Sequence, residues 1–154
     1  VTVSPFFAVL CEPPAQKARP KTAIDAKFSI PFTIAIALAQ GDVGLQDFAK
    51  ERLADPALHG LADKVNHTVE ASWTLDQSTR GVLTLSLTGR GKVSREVIDP
   101  LGHPRNPMDE SAMRWKFENC LAVARHPLDA AAARSLTERL ETLEQVCDMR
   151  EVFS

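Results

Sequence analysis

The alternation of hydrophobic and polar positions divides the chain into short elements of both kinds. Residues 1–10, VTVSPFFAVL, are rich in valine and phenylalanine, a composition that indicates a strand. The following EPPAQKARPKT has three prolines in 11 residues and predicts an extended loop. VNHTVEASW alternates weakly and predicts a further strand. Residues 82–87 and 92–98 alternate on either side of the glycine-containing turn TGRG, as the strands of a β-hairpin do.

The most apolar stretch, residues 30–39, predicts a buried helix. Ser29 is suited to cap its N-terminus, and Pro31 falls in the first turn, where proline is tolerated. Gly41 suits the C-terminal stop. Apolar residues on every side indicate a helix surrounded by other elements. The stretch is too short to span a bilayer, which needs about 20 apolar residues.

Helical patterns occur in four further segments. Residues 44–53 predict a short amphipathic helix, and Asp55 with Pro56 predicts the N-cap and first turn of another. Two longer helices are predicted over residues 108–125 and 127–146. Each has one apolar stripe: Met113, Phe117, Cys120, Leu121 and Ala124 in the first, and Leu128, Ala132, Leu136, Leu140, Leu143 and Cys147 in the second.

The order of strand, helices, strands and helices predicts an α+β fold. We expect a two-layer sandwich in which a mostly antiparallel sheet packs against helices, with the C-terminal helices added. The proline-rich loop DPLGHPRNP indicates a division after residue 107. Residues 1–107 would form an α+β lobe, and residues 108–154 would form helices that pack on it or on another lobe.

Composition and charge argue against several classes of protein. The 154 residues are 44% hydrophobic and 25% charged, which is ordinary for one soluble globular domain. The net charge of −2 gives nucleic-acid binding no electrostatic support. Three widely spaced cysteines predict neither a zinc site nor a disulfide framework, so a cytoplasmic compartment is the simpler interpretation. No secretory signal is visible, and the start at Val1 suggests a trimmed chain or one lobe of a longer protein.

No complete catalytic motif is visible. The sequence contains no GxSxG elbow, no GxGxxG fingerprint, no P-loop and no HExxH pair. His59, His67 and His126 are scattered and lack partners at metal-ligand spacing, so no metal site is predicted.

Lys27 and Ser29 stand at the N-terminus of the predicted core helix. Free N–H groups and a partial positive charge at such a terminus can hold an anion, and a lysine adds a full charge. In the functional interpretation, these residues form a carboxylate-binding corner. In the structural alternative, Ser29 only caps the helix and Lys27 is a solvated neighbour that pairs with Asp25. The residues alone favour the structural alternative, because helix caps far outnumber anion sites.

His103 and Arg105 lie in the proline-bounded loop GHPRNP, residues 102–107. Histidine titrates near neutral pH, and arginine can hold a carboxylate with two hydrogen bonds. The alternative is a structural turn that sets the start of the helix at residue 109. The residues alone leave both interpretations open.

Taken as a set, these segments resemble the C-terminal lobe of the MmgE/PrpD family. RPKT at residues 19–22, AKFS at 26–29, the small-residue helix ending at Gly41 and the ADP…LADKV segment occur in the family's order. GHPRNP, followed by the dipeptide KF, resembles the family's glycine–proline loop and the helix after it. The family includes 2-methylcitrate dehydratase, cis-aconitate decarboxylase and iminodisuccinate epimerase.

The resemblance implies a two-lobe enzyme that abstracts a proton next to a carboxylate, without a metal or organic cofactor. Water or CO2 then leaves, or the proton returns on the other face. This chain would be the smaller, lid-like lobe, and the missing N-terminal helical lobe would carry the principal acid and base. We expect part of a lyase or isomerase for a small polycarboxylate. A 2-methylcitrate dehydratase-like hydro-lyase of propionate metabolism, inactive as this fragment alone, is the first candidate.

By position, the resemblance assigns substrate-carboxylate contacts to Lys27, Ser29, His103 and Arg105, and it gives this chain no catalytic residue. Two departures stand out. The methylcitrate dehydratases tend to carry an arginine-rich run after the glycine–histidine pair, whereas this chain has GHPRNP. Phe32 stands where many members have a tyrosine, and phenylalanine cannot donate a hydrogen bond.

The alternative function is a stand-alone, non-catalytic binding or dimerisation module with the same fold. Its exposed former inter-lobe surface would then support a homodimer, with an apolar interface over Trp115 and the last helix. The expected partners are a small polycarboxylate, the helical lobe and a second copy of the chain. Neither nucleic acid nor a membrane is expected.

Overall fold

The structure is a computed structural model that describes residues 1–150 and 152 and the backbone of residues 151 and 153. The chain divides into two compact units, one ending at Pro107 and the other beginning at Met108. Within the described residues, the first unit contains β1 (Thr2–Val3), α1 (Pro14–Ala18), α2 (Ala23–Lys27), α3 (Ile30–Gln40), α4 (Lys50–Leu53), α5 (Pro56–Ala62), β2 (Thr68–Val69), β3 (Gly81–Leu87) and β4 (Gly91–Val97). The second contains α6 (Glu110–Ala122) and α7 (Ala130–Glu141). The predicted α+β class is confirmed.

The four strands form one mixed sheet in the order β2-β1-β3-β4. β1 runs parallel to β2, with Thr2 opposite Thr68, and antiparallel to β3. β3 and β4 pair antiparallel from Gly81 opposite Val97 to Leu87 opposite Gly91. The predicted hairpin is confirmed to within one residue at its ends. Gly89 and Gly91 in its turn have φ of 74° and 78°, a left-handed conformation that favours glycine.

Helix α3 begins and ends where the sequence predicts. The Ser29 hydroxyl accepts the Phe32 N–H at 3.1 Å, and Gly41, with φ of 87°, donates its N–H to the Ala37 carbonyl at 2.8 Å. Only the first half of the helix is buried, because the short helices α1, α2 and α5 cover that half. Residues 37–40 are exposed, so the prediction of burial on every side is wrong for the second half.

Small residues allow these helices to pack closely. Phe32 and Ile36 of α3 are buried together with Leu58 of α5, surrounded by buried alanines from α1, α2, α3 and α5: Ala18, Ala26, Ala35 and Ala62. Full burial of each large side chain contributes about 1.5–3 kcal/mol. On the sheet side, Ile34 and Leu83 border a cavity of about 840 Å³ between α3 and β3.

Two loop and strand predictions in the first 22 residues are wrong in part. Only Thr2–Val3 is a strand, because the Ser4 carbonyl then accepts the N–H groups of Phe7 and Ala8, both at 3.1 Å, and turns the chain. The predicted extended loop contains α1, which begins at Pro14 because a proline is tolerated in the first helical turn.

Two further segments form less regular structure than predicted. Residues 44–53 are divided between a 3-10 turn, Leu45–Phe48, and α4. The strand predicted in VNHTVEASW is limited to Thr68–Val69, the two residues that have β1 beside them. The predicted cap at Asp55 is confirmed, since its carboxylate accepts the Ala57 N–H at 2.9 Å.

The second unit contains the two predicted helices, capped by aspartates. Asp109 accepts the Ala112 N–H at 2.8 Å at the start of α6, and Asp129 caps α7. The predicted apolar stripe of α6 is only partly covered, because Met113 is 61% exposed. Where this unit packs remains a prediction. No helix among residues 1–153 combines the length and apolar character that a membrane crossing requires.

Candidate functional site

Ser29 fixes the junction between α2 and α3. Its side chain is buried, and its Oγ both accepts the Phe32 N–H and donates to the Lys17 carbonyl at 2.6 Å. The Lys17 ammonium donates in return to the Phe28 carbonyl at 2.7 Å. These bonds join α1 to the N-terminus of α3 in both directions. A substrate contact for Ser29 remains a prediction beside this structural role.

Lys27 lies at the end of α2 with its ammonium 5.8 Å from the centroid of the Phe48 ring. Asp25 does not pair with it as the structural alternative supposed. Its carboxylate instead accepts the Thr22 N–H and hydroxyl, at 3.1 and 2.7 Å, and completes a capping box. Among residues 1–153 no carboxylate forms an ion pair with Lys27, so its charge is available to an external anion.

A basic cleft lies beside this junction. It has a volume of about 490 Å³ and is lined by Ala15, Gln16, Lys17, Arg19, Pro20, Lys21 and Asp25. Arg19 is held by both Asp63 oxygens, at 2.6 and 2.5 Å. Lys21 is exposed and forms no ion pair within the described residues. The sequence reasoning missed Lys17 and Lys21, although three basic residues at alternate positions in KARPK could have indicated them.

The loop that carries His103 and Arg105 is closed by its own hydrogen bonds. Gly102 donates its N–H to the Asn106 carbonyl at 2.8 Å, and Asn106 donates to the His103 carbonyl at 2.8 Å. Gly102 has φ of 91°, which favours glycine at this position. The Asn106 amide also donates to the Asp99 carbonyl at 3.0 Å. The loop therefore presents its side chains from a defined backbone.

Asp99 organises those side chains. Arg105 donates from Nη2 at 2.7 Å and from Nε at 3.0 Å to the two Asp99 oxygens. These hydrogen bonds hold the pKa of Asp99 below its ordinary value and raise the pKa of Arg105. The Arg105 N–H donates to His103 Nδ1 at 3.1 Å, and the same nitrogen lies 3.4 Å from Asp99 Oδ1. Arg105 can offer its Nε–Nη2 edge to another carboxylate only by leaving Asp99.

The four predicted site residues thus occupy two places in the first unit. Lys27 and Ser29 lie at the α2–α3 junction, and His103 and Arg105 surround Asp99. In the described part of the chain, no hydrogen bond or ion pair joins the two places. A common carboxylate site therefore remains a prediction.

The remaining histidines of the first unit have structural contacts. His59 Nε2 lies 2.8 Å from the Leu53 carbonyl oxygen, and His67 Nε2 lies 3.2 Å from Glu12. Among the side chains that the structure describes, no group of three or more histidines, cysteines, aspartates or glutamates is arranged to hold a metal ion.

Comparison with protein families identifies the class to which this fold and these motifs belong. The MmgE/PrpD C-terminal domain matches residues 3–142. The chain therefore belongs to the MmgE/PrpD family and corresponds to its C-terminal domain, as the AKFS and GHPRNP segments indicated. No curated protein matches the chain.

Proposed function

We propose that this chain is the C-terminal lobe of a lyase or isomerase that acts on a small polycarboxylate by proton abstraction next to a carboxylate. The observation that carries the proposal is the family match over residues 3–142. The principal acid and base would come from a helical lobe. The first candidate is a 2-methylcitrate dehydratase-like hydro-lyase of cytoplasmic propionate metabolism.

The charges of the first unit support a polycarboxylate ligand. Lys21 and Lys27 are exposed lysines without carboxylate partners in residues 1–153, and they lie at the two ends of the segment that contains α2. Lys17 lines the basic cleft together with Lys21, and its ammonium is held by the neutral Phe28 carbonyl group. A ligand with two or more carboxylates needs several such cations, because desolvating an unpaired charge is costly.

Arg105 would contribute by exchanging its partner. In the structure it binds Asp99 with the two-pronged geometry that it would use for a substrate carboxylate. Its side chain is 57% exposed, so an incoming carboxylate can reach the guanidinium. The exchange keeps one carboxylate on the arginine and releases that of Asp99.

The test uses the complete two-lobe enzyme that contains this chain, assayed on di- and tricarboxylates. Lys27→Ala and Arg105→Ala should each raise KM about tenfold, the effect of losing about 1.4 kcal/mol of binding. Lys50→Ala, which removes an exposed lysine of α4, is the matched control and should leave KM unchanged. An unchanged KM in both site variants would remove these residues from the site. Absence of turnover on every polycarboxylate would overturn the proposed function.

One observation favours the second candidate, a non-catalytic module that docks on another surface. In the second unit, Trp115 is 50% exposed and Met113 61% exposed. A cavity of about 480 Å³ with Phe117 and Leu140 in its lining lies between α6 and α7. If the native protein has no helical lobe and Met113→Ser with Trp115→Ser abolishes self-association, the module is the better description.

A further inference from the structure

Strand β4 forms an exposed edge of the sheet. It is the last strand in the order β2-β1-β3-β4, and all seven of its residues, Gly91–Val97, are exposed. An edge strand leaves backbone N–H and C=O groups unpaired on its outer side, and these groups can pair with another strand. Val93 and Val97 are 53% and 44% exposed, so apolar side chains accompany the free backbone groups.

The charges of β4 are arranged symmetrically about its central residue. In GKVSREV, Lys92 and Glu96 stand two positions before and after Ser94. If two copies of β4 pair antiparallel with Ser94 opposite Ser94, all seven residues overlap and Lys92 of each strand faces Glu96 of the other. Opposite charges directly across an antiparallel pair are favourable, so the alignment with the greatest overlap is also matched in charge.

The other alignments are less favourable. A shift that centres the pair on Arg95 places the two Arg95 side chains opposite each other and shortens the overlap. A parallel pair aligned residue for residue would set Lys92, Arg95 and Glu96 each against its own copy. Like charges directly opposite are destabilising. The antiparallel alignment about Ser94 is therefore the one that combines full overlap with matched charges.

Both charged groups, Lys92 and Glu96, are accessible for this pairing. Arg80 approaches Glu96 from the same chain and uses only one oxygen, with its Nε 2.7 Å from Oε1 and its Nη2 2.5 Å from that atom. In the described residues, the second oxygen of Glu96 has no hydrogen-bond partner, and Lys92 forms no ion pair. Arg80 thus holds the carboxylate in place while one oxygen remains available.

We propose that β4 is a self-association edge, which pairs antiparallel with β4 of a second copy about Ser94. The two four-stranded sheets then become continuous. Val93 meets Arg95 of the other copy, and the aliphatic part of the arginine can cover the valine. The Ser94 hydroxyl keeps its bond to Thr84, whose oxygen lies 2.8 Å away, because that bond lies within one copy.

The first test locates the interface by cross-linking. In a background with Cys120→Ser and Cys147→Ser, Ser94→Cys should form a disulfide-linked dimer under mild oxidation. Directly opposite residues in a sheet lie within the Cα separation of about 4.4–6.8 Å that disulfides require. Val93→Cys and Arg95→Cys are the matched controls, because their copies are diagonal to each other and should cross-link poorly. Equal cross-linking at all three positions, or none at Ser94→Cys, would overturn the proposed alignment.

The second test uses charge. Lys92→Glu gives a chain with glutamate at both positions, and Glu96→Lys gives one with lysine at both, so each should repel its own copy. We expect about a tenfold weaker self-association for each variant, since two pairs change sign in every dimer. Mixing the two variants places a lysine opposite a glutamate at both pairs and should restore association. Thermal unfolding of each variant shows whether it has folded.

Lys50→Glu is the control for the charge test, because it makes the same change in net charge on α4. It should leave the sedimentation of the chain unaltered. A wild-type chain that remains monomeric, or mixed variants that associate no better than each alone, would contradict the proposal. Association lost instead with Trp115→Ser would assign the interface to α6.

Discussion

Ser29 and Lys17 show at the residue scale how one polar pair supports the site. The Ser29 hydroxyl satisfies an N–H of α3 and a carbonyl of α1, and both lie where water has little access. The Lys17 ammonium closes the same junction from the other side. The position of Lys27 two residues before the cap therefore depends on hydrogen bonds that the lysine itself does not make.

We predict that Ser29→Ala lowers the free energy of unfolding by about 2 kcal/mol or more. The variant loses a helix cap, about 1 kcal/mol, and leaves the Lys17 carbonyl unsatisfied, about 1–3 kcal/mol. Urea unfolding of both proteins measures the difference. Ser86→Ala, at an exposed position of β3, should change stability by less than about 0.5 kcal/mol. Equal effects in the two variants would contradict the proposed contribution of the Ser29 hydrogen bonds to stability.

A pH dependence follows from the lowered pKa of Asp99. A group whose pKa is lower in the folded state contributes stability above its unfolded pKa, about 3.9 for aspartate. That contribution disappears as pH falls through the folded pKa. We therefore expect Asp99→Asn to be less stable than the wild type near neutral pH, with the difference shrinking below about pH 4.

Thermal unfolding between acid and neutral pH checks this prediction. Arg105→Gln should show the same loss of pH dependence, because Arg105 is the main cause of the lowered pKa. A stability difference between Asp99→Asn and the wild type that stays constant over the whole range would argue against the pair.

At the scale of the secondary-structure elements, helix caps fix where the helices of the second unit begin. The Asp129 carboxylate accepts the N–H groups of Ala131 and Ala132, at 2.9 and 2.8 Å, and these bonds lower its pKa. The stripe of α7 provides little burial, since Leu140 is 37% exposed and Ala132 is also exposed. The start of α7 thus depends on its cap more than a fully buried helix would.

We predict that Asp129→Ala destabilises the start of α7 by about 1 kcal/mol, the typical value of a cap. Asp129→Asn should retain most of that stability, because asparagine caps equally well. Hydrogen exchange of the first amides of α7 is the measurement. Equally fast exchange in the asparagine and alanine variants would show that the charge, and not the cap, matters most.

At the scale of the whole molecule, the chain corresponds to the C-terminal domain of the MmgE/PrpD family, and we propose that it is one lobe of a two-lobe enzyme. We predict that it shows no turnover of polycarboxylates when purified alone, because the proposal assigns the principal acid and base to the helical lobe. Product formation by the chain alone, and after addition of the separately expressed helical lobe, is the measurement. Turnover by the chain alone would show that these residues include their own acid and base.

Local signals in the sequence determined where many elements begin and end. Ser29 and Asp55 cap helices, Pro31 and Pro56 fit first turns, and Gly41 ends α3. Each of these features depends on backbone groups at most four residues away, so each can be predicted from the residues nearby in the sequence. The hairpin was predictable for the same reason. The family motifs AKFS and GHPRNP likewise lie within short segments, and they indicated the family that the match over residues 3–142 confirms.

The tertiary structure alone decided which surfaces are covered and which polar groups meet. Thr68 forms a strand because Thr2 lies beside it, a pairing across 66 residues that no local pattern contains. The same holds for the hydrogen bonds between Ser29 and Lys17, and for the ion pair of Asp63 with Arg19, which lines the basic cleft. Burial and ion pairing depend on groups that only folding brings together, whereas caps and turns depend on neighbours along the chain.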